Sequence, residues 1–182
     1  MYFYVSSHEP LTSTFNFHIY NDFADASKNA AYYATQAWAN ALGRSYAATY
    51  PYSMGTDEIG DDDSSVGGNG ENCISVAWYD TSSTSIAKTI TRYDALDRIC
   101  EIDIYLNRNM PFTNGAQAGK YDVQSVLTHE LGHVYGLCDK YQVGEYGSWC
   151  TTWTMCGVGP LYSIAPRSLE SYDIAHIQSL YS

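Results

Sequence analysis

The stretch "THELGHVYGLCD", Thr128 to Asp139, limits the possible folds of this chain more than any other. His129 and His133 are four residues apart, so on a helix they differ by about 40° around the axis and one turn in height. Val126, Leu127, Leu131 and Val134 recur at helical spacing on the opposite side, which predicts a buried apolar face. The two imidazoles and Glu130 then face out of the core and into a cleft. Gly136 follows, three residues after the second histidine. A glycine there can adopt positive φ, stop the helix and turn the chain sharply back. The turned chain brings position 139 toward the histidines, which a straight helix could not do.

Those residue types point to a metal. Two imidazole nitrogens one helical turn apart can converge on one zinc ion at roughly 2.0–2.1 Å. A five-residue HExxH also arises on ordinary helices with incidental histidines, and the glycine turn is what shifts the balance. Asp139 is the expected third ligand, since a carboxylate oxygen binds zinc well. Cys138 is its rival, because a thiolate also binds zinc, but it lies one residue off the reach of the turn and has other cysteines to pair with. Two neutral imidazoles and a carboxylate leave one position open, as catalytic sites do. Glu130 projects beside the histidines, close enough to a bound water to take its proton.

Bulk properties bound the rest. The chain has 182 residues, the size of one ordinary domain, with a net charge of −11. Nine Lys and Arg with no basic cluster do not meet the phosphate-contact requirement of nucleic acid. No apolar run approaches the length of a membrane span. Five cysteines with few lysines suggest an oxidising environment in which four could pair, among Cys73, Cys100, Cys138, Cys150 and Cys156. The N-terminus "MYFYVSSHEP" lacks a basic region followed by an apolar stretch, so the expectation is a trimmed form of a secreted precursor. The 18 tyrosines read as amphipathic filler at half-buried positions.

Along the chain, "STFNFHIY" alternates Phe15, Phe17 and Ile19 as a strand with one buried face. "DASKNAAYYATQAWANALG" places Ala30, Ala34, Ala37, Trp38, Ala41 and Leu42 on one helical stripe, with Asp25 or Ser27 as start cap and Gly43 at the end. "CISVAWYD" and "CEIDIYLNRN" alternate as two further strands, through Ile74, Val76 and Trp78, then Ile102, Ile104 and Leu106. Helical spacing returns from Tyr121 to Tyr135 and again in "RSLESYDIAHIQSLYS". That order predicts an α+β fold. The acidic segment from Asp57 to Gly70 could bind calcium, but its spacing does not fit the twelve-residue calcium loop, so a solvated surface loop is expected.

"HELGHVYGLCD" resembles the extended zinc motif of the metzincin metalloproteases, in the snapalysin-like variant with aspartate as third ligand. "WTMCG" is similar to the family's Met-turn and supplies Met155, and "DKY" at Asp139–Tyr141 looks like the Asp-x-Tyr stretch of the snapalysin-like group. "LESYDIAHIQSLY" is similar to the last helix of matrixins. The resemblance covers the chain from about Phe15 onward, with specificity concentrated in the zinc stretch. It implies a twisted mixed β-sheet with a long N-terminal helix and an active-site helix. A smaller irregular C-terminal subdomain ending in a helix would follow. The single catalytic domain would span 1–182, with an upper subdomain of about 1–136 and a lower one of about 137–182. "CEIDIYLNRNMPF" takes the place of the cleft-edge strand, making Ile102, Asp103 and Ile104 candidate substrate contacts.

The sequence also departs from the family. Gly157 stands where several metzincins carry a tyrosine two residues after the methionine, which makes Tyr141 a substitute oxyanion helper or plain filler. "PLY" at Pro160–Tyr162 is similar to the matrixin pocket wall but lies three residues later. No latency segment with a switch cysteine is present, and His8, His18 and His176 do not form the matrixins' second zinc site. The expected protein is a secreted, monomeric zinc endopeptidase acting on protein or peptide substrates. It would carry one catalytic ion held by His129, His133 and Asp139, with Glu130 as general base. Two other classes fit the sequence: a zinc hydrolase of a non-peptide amide or ester, and a tyrosine-rich extracellular binding module with a relic site.

Overall fold

A computed structural model of the chain describes residues 17–19, 25–43, 72–77, 84–96, 98–139, 142–143, 148–149, 154–156 and 163–181. Strand β1 (Phe17–Ile19) leads to helix α1 (Asp25–Leu42) and then to β2 (Asn72–Ala77), β3 (Ala87–Tyr93) and β4 (Ile99–Asn107). Two short strands, β5 (Phe112–Thr113) and β6 (Tyr121–Asp122), precede helix α2 (Val123–Val134). A small hairpin of β7 (Gln142–Val143) and β8 (Ser148–Trp149), a 3-10 turn at Ala165–Arg167 and helix α3 (Ser171–Tyr181) complete the order. The architecture is α+β. Its main sheet is mixed, in the order β1-β2-β4-β3, with β1, β2 and β4 parallel and β3 antiparallel to β4.

Helix α1 forms where the alanine stripe predicts it. Ala30, Ala34 and Trp38 are buried, while Tyr32 and Tyr33 on the opposite side are exposed. Gly43 ends the helix at φ +60°, a conformation that a Cβ would oppose. The Trp38 indole donates to the Thr128 carbonyl of α2 at 2.7 Å, so an N–H inside the core keeps a partner and fixes one helix against the other. Val123, Leu127, Leu131 and Val134 of α2 join Ile102, Ile104 and Leu106 of β4 and Ile177 of α3 in the same core.

The start of α2 is tied down by charge. Asp122 is the N-cap, accepting from the Ser125 amide at 2.9 Å and its hydroxyl at 2.8 Å. The same carboxylate accepts from the Gly115 amide at 2.7 Å and from Arg167 at 2.8 and 2.6 Å. One side chain therefore joins the loop before α2, the helix itself and the 3-10 turn. Burial alone would raise the Asp122 carboxyl, but Arg167, Ser125 and the Gly115 amide outweigh it and hold it below its usual value.

Two expectations need correcting here. Strand β4 is not at the edge of the sheet, because it pairs with β2 on one side and β3 on the other. Its alternating pattern suggested one wet face, yet Glu101, Asp103, Tyr105 and Asn107 are buried along with Ile102 and Ile104. Ile102, Asp103 and Ile104 are buried within the sheet rather than lying along a free edge. The cysteine pattern also differs from four paired residues, since Cys100 and Cys138 are free thiols and at most one pair remains among the other three. Cys156 is disulfide-bonded. Trp78 and the acidic segment from Asp57 to Gly70 lie outside the described residues.

Candidate metal centre

Helix α2 ends in a Schellman motif. Gly136 has φ +88°, its amide donates to the His133 carbonyl at 2.9 Å, and the Leu137 amide donates to the Gly132 carbonyl at 3.0 Å. The chain turns back, Leu137 enters the core, and the returning Leu137 carbonyl lies 2.7 Å from His133 Nδ1. Two residues on, Asp139 Oδ1 lies 3.0 Å from His129 Nε2 and 3.4 Å from His133 Nε2. Gly136 turns the chain where the sequence predicted, and Asp139 comes to lie beside the two histidines. Cys138 is excluded from this group, and burial and the neighbouring Asp139 charge push its thiol pKa up, which disfavours the thiolate a metal needs.

The hydrogen bonds define what the trio can hold. His129 Nδ1 lies 2.7 Å from the Thr154 carbonyl, as His133 Nδ1 does from that of Leu137. A carbonyl only accepts, so each Nδ1 carries the proton and each Nε2 of a neutral ring presents a lone pair. In that form two nitrogen lone pairs and a carboxylate oxygen converge as metal ligands do, whereas in metal-free protein a proton on an imidazole can bridge to the carboxylate. Donors about 2.0–2.2 Å from a common ion at the tetrahedral angle stand about 3.3–3.5 Å apart, close to the spacing seen here. The three residues could hold a metal ion.

Protonation responds to the same closeness. Burial alone would raise the Asp139 carboxyl, but hydrogen bonds and charge from His129 and His133 hold it far below the usual carboxylate range. Burial likewise would lower the His133 imidazole, and Asp139, Glu130 and the Leu137 carbonyl together raise it. Protons and a metal ion therefore compete for the same acceptors.

The carbonyl that orients His129 belongs to a turn fixed from two sides. The Thr154 amide donates to Asp173 Oδ2 at 3.1 Å, and the same oxygen accepts from the Glu170 amide at the start of α3. Met155, next along, is buried beneath α2. A Cβ on Gly132 would collide with Met155 Sδ and crowd Trp38, so only glycine at 132 lets the turn approach the helix this closely. Met155 thus supports the helix turn that carries both histidines.

His129, His133, Asp139 and Thr154 line a cleft of about 450 Å³, together with Ser85, Ala87, Lys88 and Thr89 from the β3 side. Glu130 is 6% exposed, and its Oε2 accepts from the Thr89 hydroxyl at 2.6 Å. Val126, expected in the core, is half-buried and lines the cleft. The sequence reading missed β3 and Thr89, although "AKTITRY" carries the β-branched run of a strand. Gly132, Thr154 and Asp122 were not foreseen, because Met155, Asp173 and Arg167, which they meet, lie far from them in the chain. Tyr141, Pro160 and Tyr162 lie outside the described residues. No family model matches the chain, and no curated protein shows significant similarity to it.

Proposed function

We propose that this chain is a secreted zinc endopeptidase of the metzincin type, close to its snapalysin-like members. The observation that carries this reading is the convergence of His129 Nε2, His133 Nε2 and Asp139 Oδ1 next to the buried carboxylate of Glu130. Bound there, zinc supplies Lewis acidity, acidifying water and polarising a carbonyl. Leu137 and Thr154 keep the imidazoles in the tautomer that offers Nε2. Glu130 takes a proton from the attacking water and returns it to the leaving amine. Among the described residues β3 has no strand on its outer side, so an extended peptide can add to that edge by main-chain hydrogen bonds. That edge favours a peptide over a small amide or ester.

Zinc-loaded protein should cleave casein and a peptide library, with activity lost to a chelator and regained on adding zinc. Glu130→Ala should keep its zinc while activity falls by roughly 10²–10⁴-fold, the usual contribution of a general base. Full activity in that variant, or cleavage of small esters alone, would overturn the reading. Because acid protonates the ligands, activity should peak near neutral pH or above. A best rate below about pH 5 would contradict this.

A further inference from the structure

We infer that Thr89 is a positioning residue that fixes the Glu130 carboxylate in the cleft, an inference resting on the peptidase reading above. Glu130 is almost fully buried, so each orientation of its carboxylate must find a hydrogen-bond donor. The Thr89 hydroxyl supplies one at 2.6 Å from Oε2, a length typical of a charge-assisted bond, with the Glu130 carbonyl 3.2 Å away. Thr89 sits in register opposite Ile104, on a strand anchored to β4 along its length, so its hydroxyl is held by the sheet rather than by a loop. With Oε2 engaged, Oε1 is the oxygen left for water. The carboxylate is thereby committed to one orientation before substrate arrives, and proximity effects in catalysis depend on that commitment.

The link also runs between the two walls of the cleft. Thr89 belongs to the strand whose outer edge pairs with no other strand among the described residues, and Glu130 belongs to the helix carrying His129 and His133. Substrate alignment and the general base therefore share one strand as their reference. Valine at position 89 keeps the shape and strand preference but cannot donate, whereas serine restores the hydroxyl.

The test has two arms. In metal-free protein labelled with ¹³C-carboxyl glutamate, the Glu130 resonance is assigned by its loss in Glu130→Gln. Thr89→Val should move that resonance and Thr89→Ser should leave it near its wild-type position. In zinc-loaded protein, Thr89→Val should retain zinc and KM while kcat falls roughly 10–100-fold, the usual effect of losing such a supporting bond. Thr89→Ser should recover most of kcat. An unmoved Glu130 resonance in Thr89→Val, or unchanged kcat, overturns the inference. A protein without any peptidase activity removes the function proposed above, and the resonance still decides whether Thr89 holds Glu130. Should Thr89→Val lose the fold, Thr89→Ala takes its place in both arms.

Discussion

Position 139 is where a single atom decides between ligand sets. With Oδ1 within 3.4 Å of both Nε2 atoms, Asp139→Ala leaves only two imidazoles, and the purified variant should hold little zinc. Asp139→His should keep much of the affinity, because the Gly136 turn already brings that position to the site and imidazole is a good zinc donor. Cys138→Ser should bind zinc as the wild type does, since that thiol is free and outside the trio. Zinc stoichiometry on the three variants decides, and retained zinc in Asp139→Ala would end the assignment. Gly132→Ala tests the support beneath the histidines. Its methyl would meet Met155 and Trp38, and overpacking of this kind costs about 1–3 kcal/mol, read as a lower denaturation midpoint. The grouping of His129, His133 and Asp139 was legible in the sequence because its geometry is local, set by helical spacing and one glycine. Gly132 was not, because the reason for it is a methionine that only the folded chain brings near.

Among the elements, α2 depends on a cap that joins three segments. Removing the carboxylate in Asp122→Ala deletes the N-cap and the charged bonds to Arg167, together worth about 2–4 kcal/mol by comparison with similar groups. The pH dependence follows from the direction of the shift. Asp122 is held below its unfolded pKa, so its contribution is fully present above that value and is lost as pH falls through the folded one. Chemical denaturation of wild type and Asp122→Asn should therefore differ most near neutral pH and converge in acid. A constant difference down to about pH 2 would assign the effect to shape rather than charge. Helix α1 was legible from its alanine stripe, and α2 from its apolar face. Strand β3 was not, for its residues are half-buried and its short β-branched run follows no strict alternation of exposure. Nor was the interior place of β4. Alternation reveals that a strand has two unlike faces, and what covers each face depends on chain segments distant in sequence.

Over the whole molecule, the candidate metal centre is the point where distant parts of the chain converge. Helix α2 brings two nitrogens, the chain after Gly136 brings the carboxylate, and the Thr154 turn, held by Asp173 of α3, orients one ring. Unfolding would scatter all of these, so an ion that binds the folded chain stabilises it by mass action. At about a thousandfold excess of free ion over its Kd, the gain is about 4 kcal/mol. In a chain of this length that corresponds to a Tm roughly 8–16 °C higher with zinc than after chelation. Metal-free protein should retain its helices at room temperature, because the core of Trp38, Leu127, Leu131 and Ile177 contains no ligand atoms. Paired melts of wild type and Asp139→Ala, each with zinc and with chelator, separate this from general salt effects. The wild-type curves should split and those of the variant should coincide. Wild-type curves that coincide would mean that the three acceptors hold no ion, and the proposed chemistry would then lose its centre.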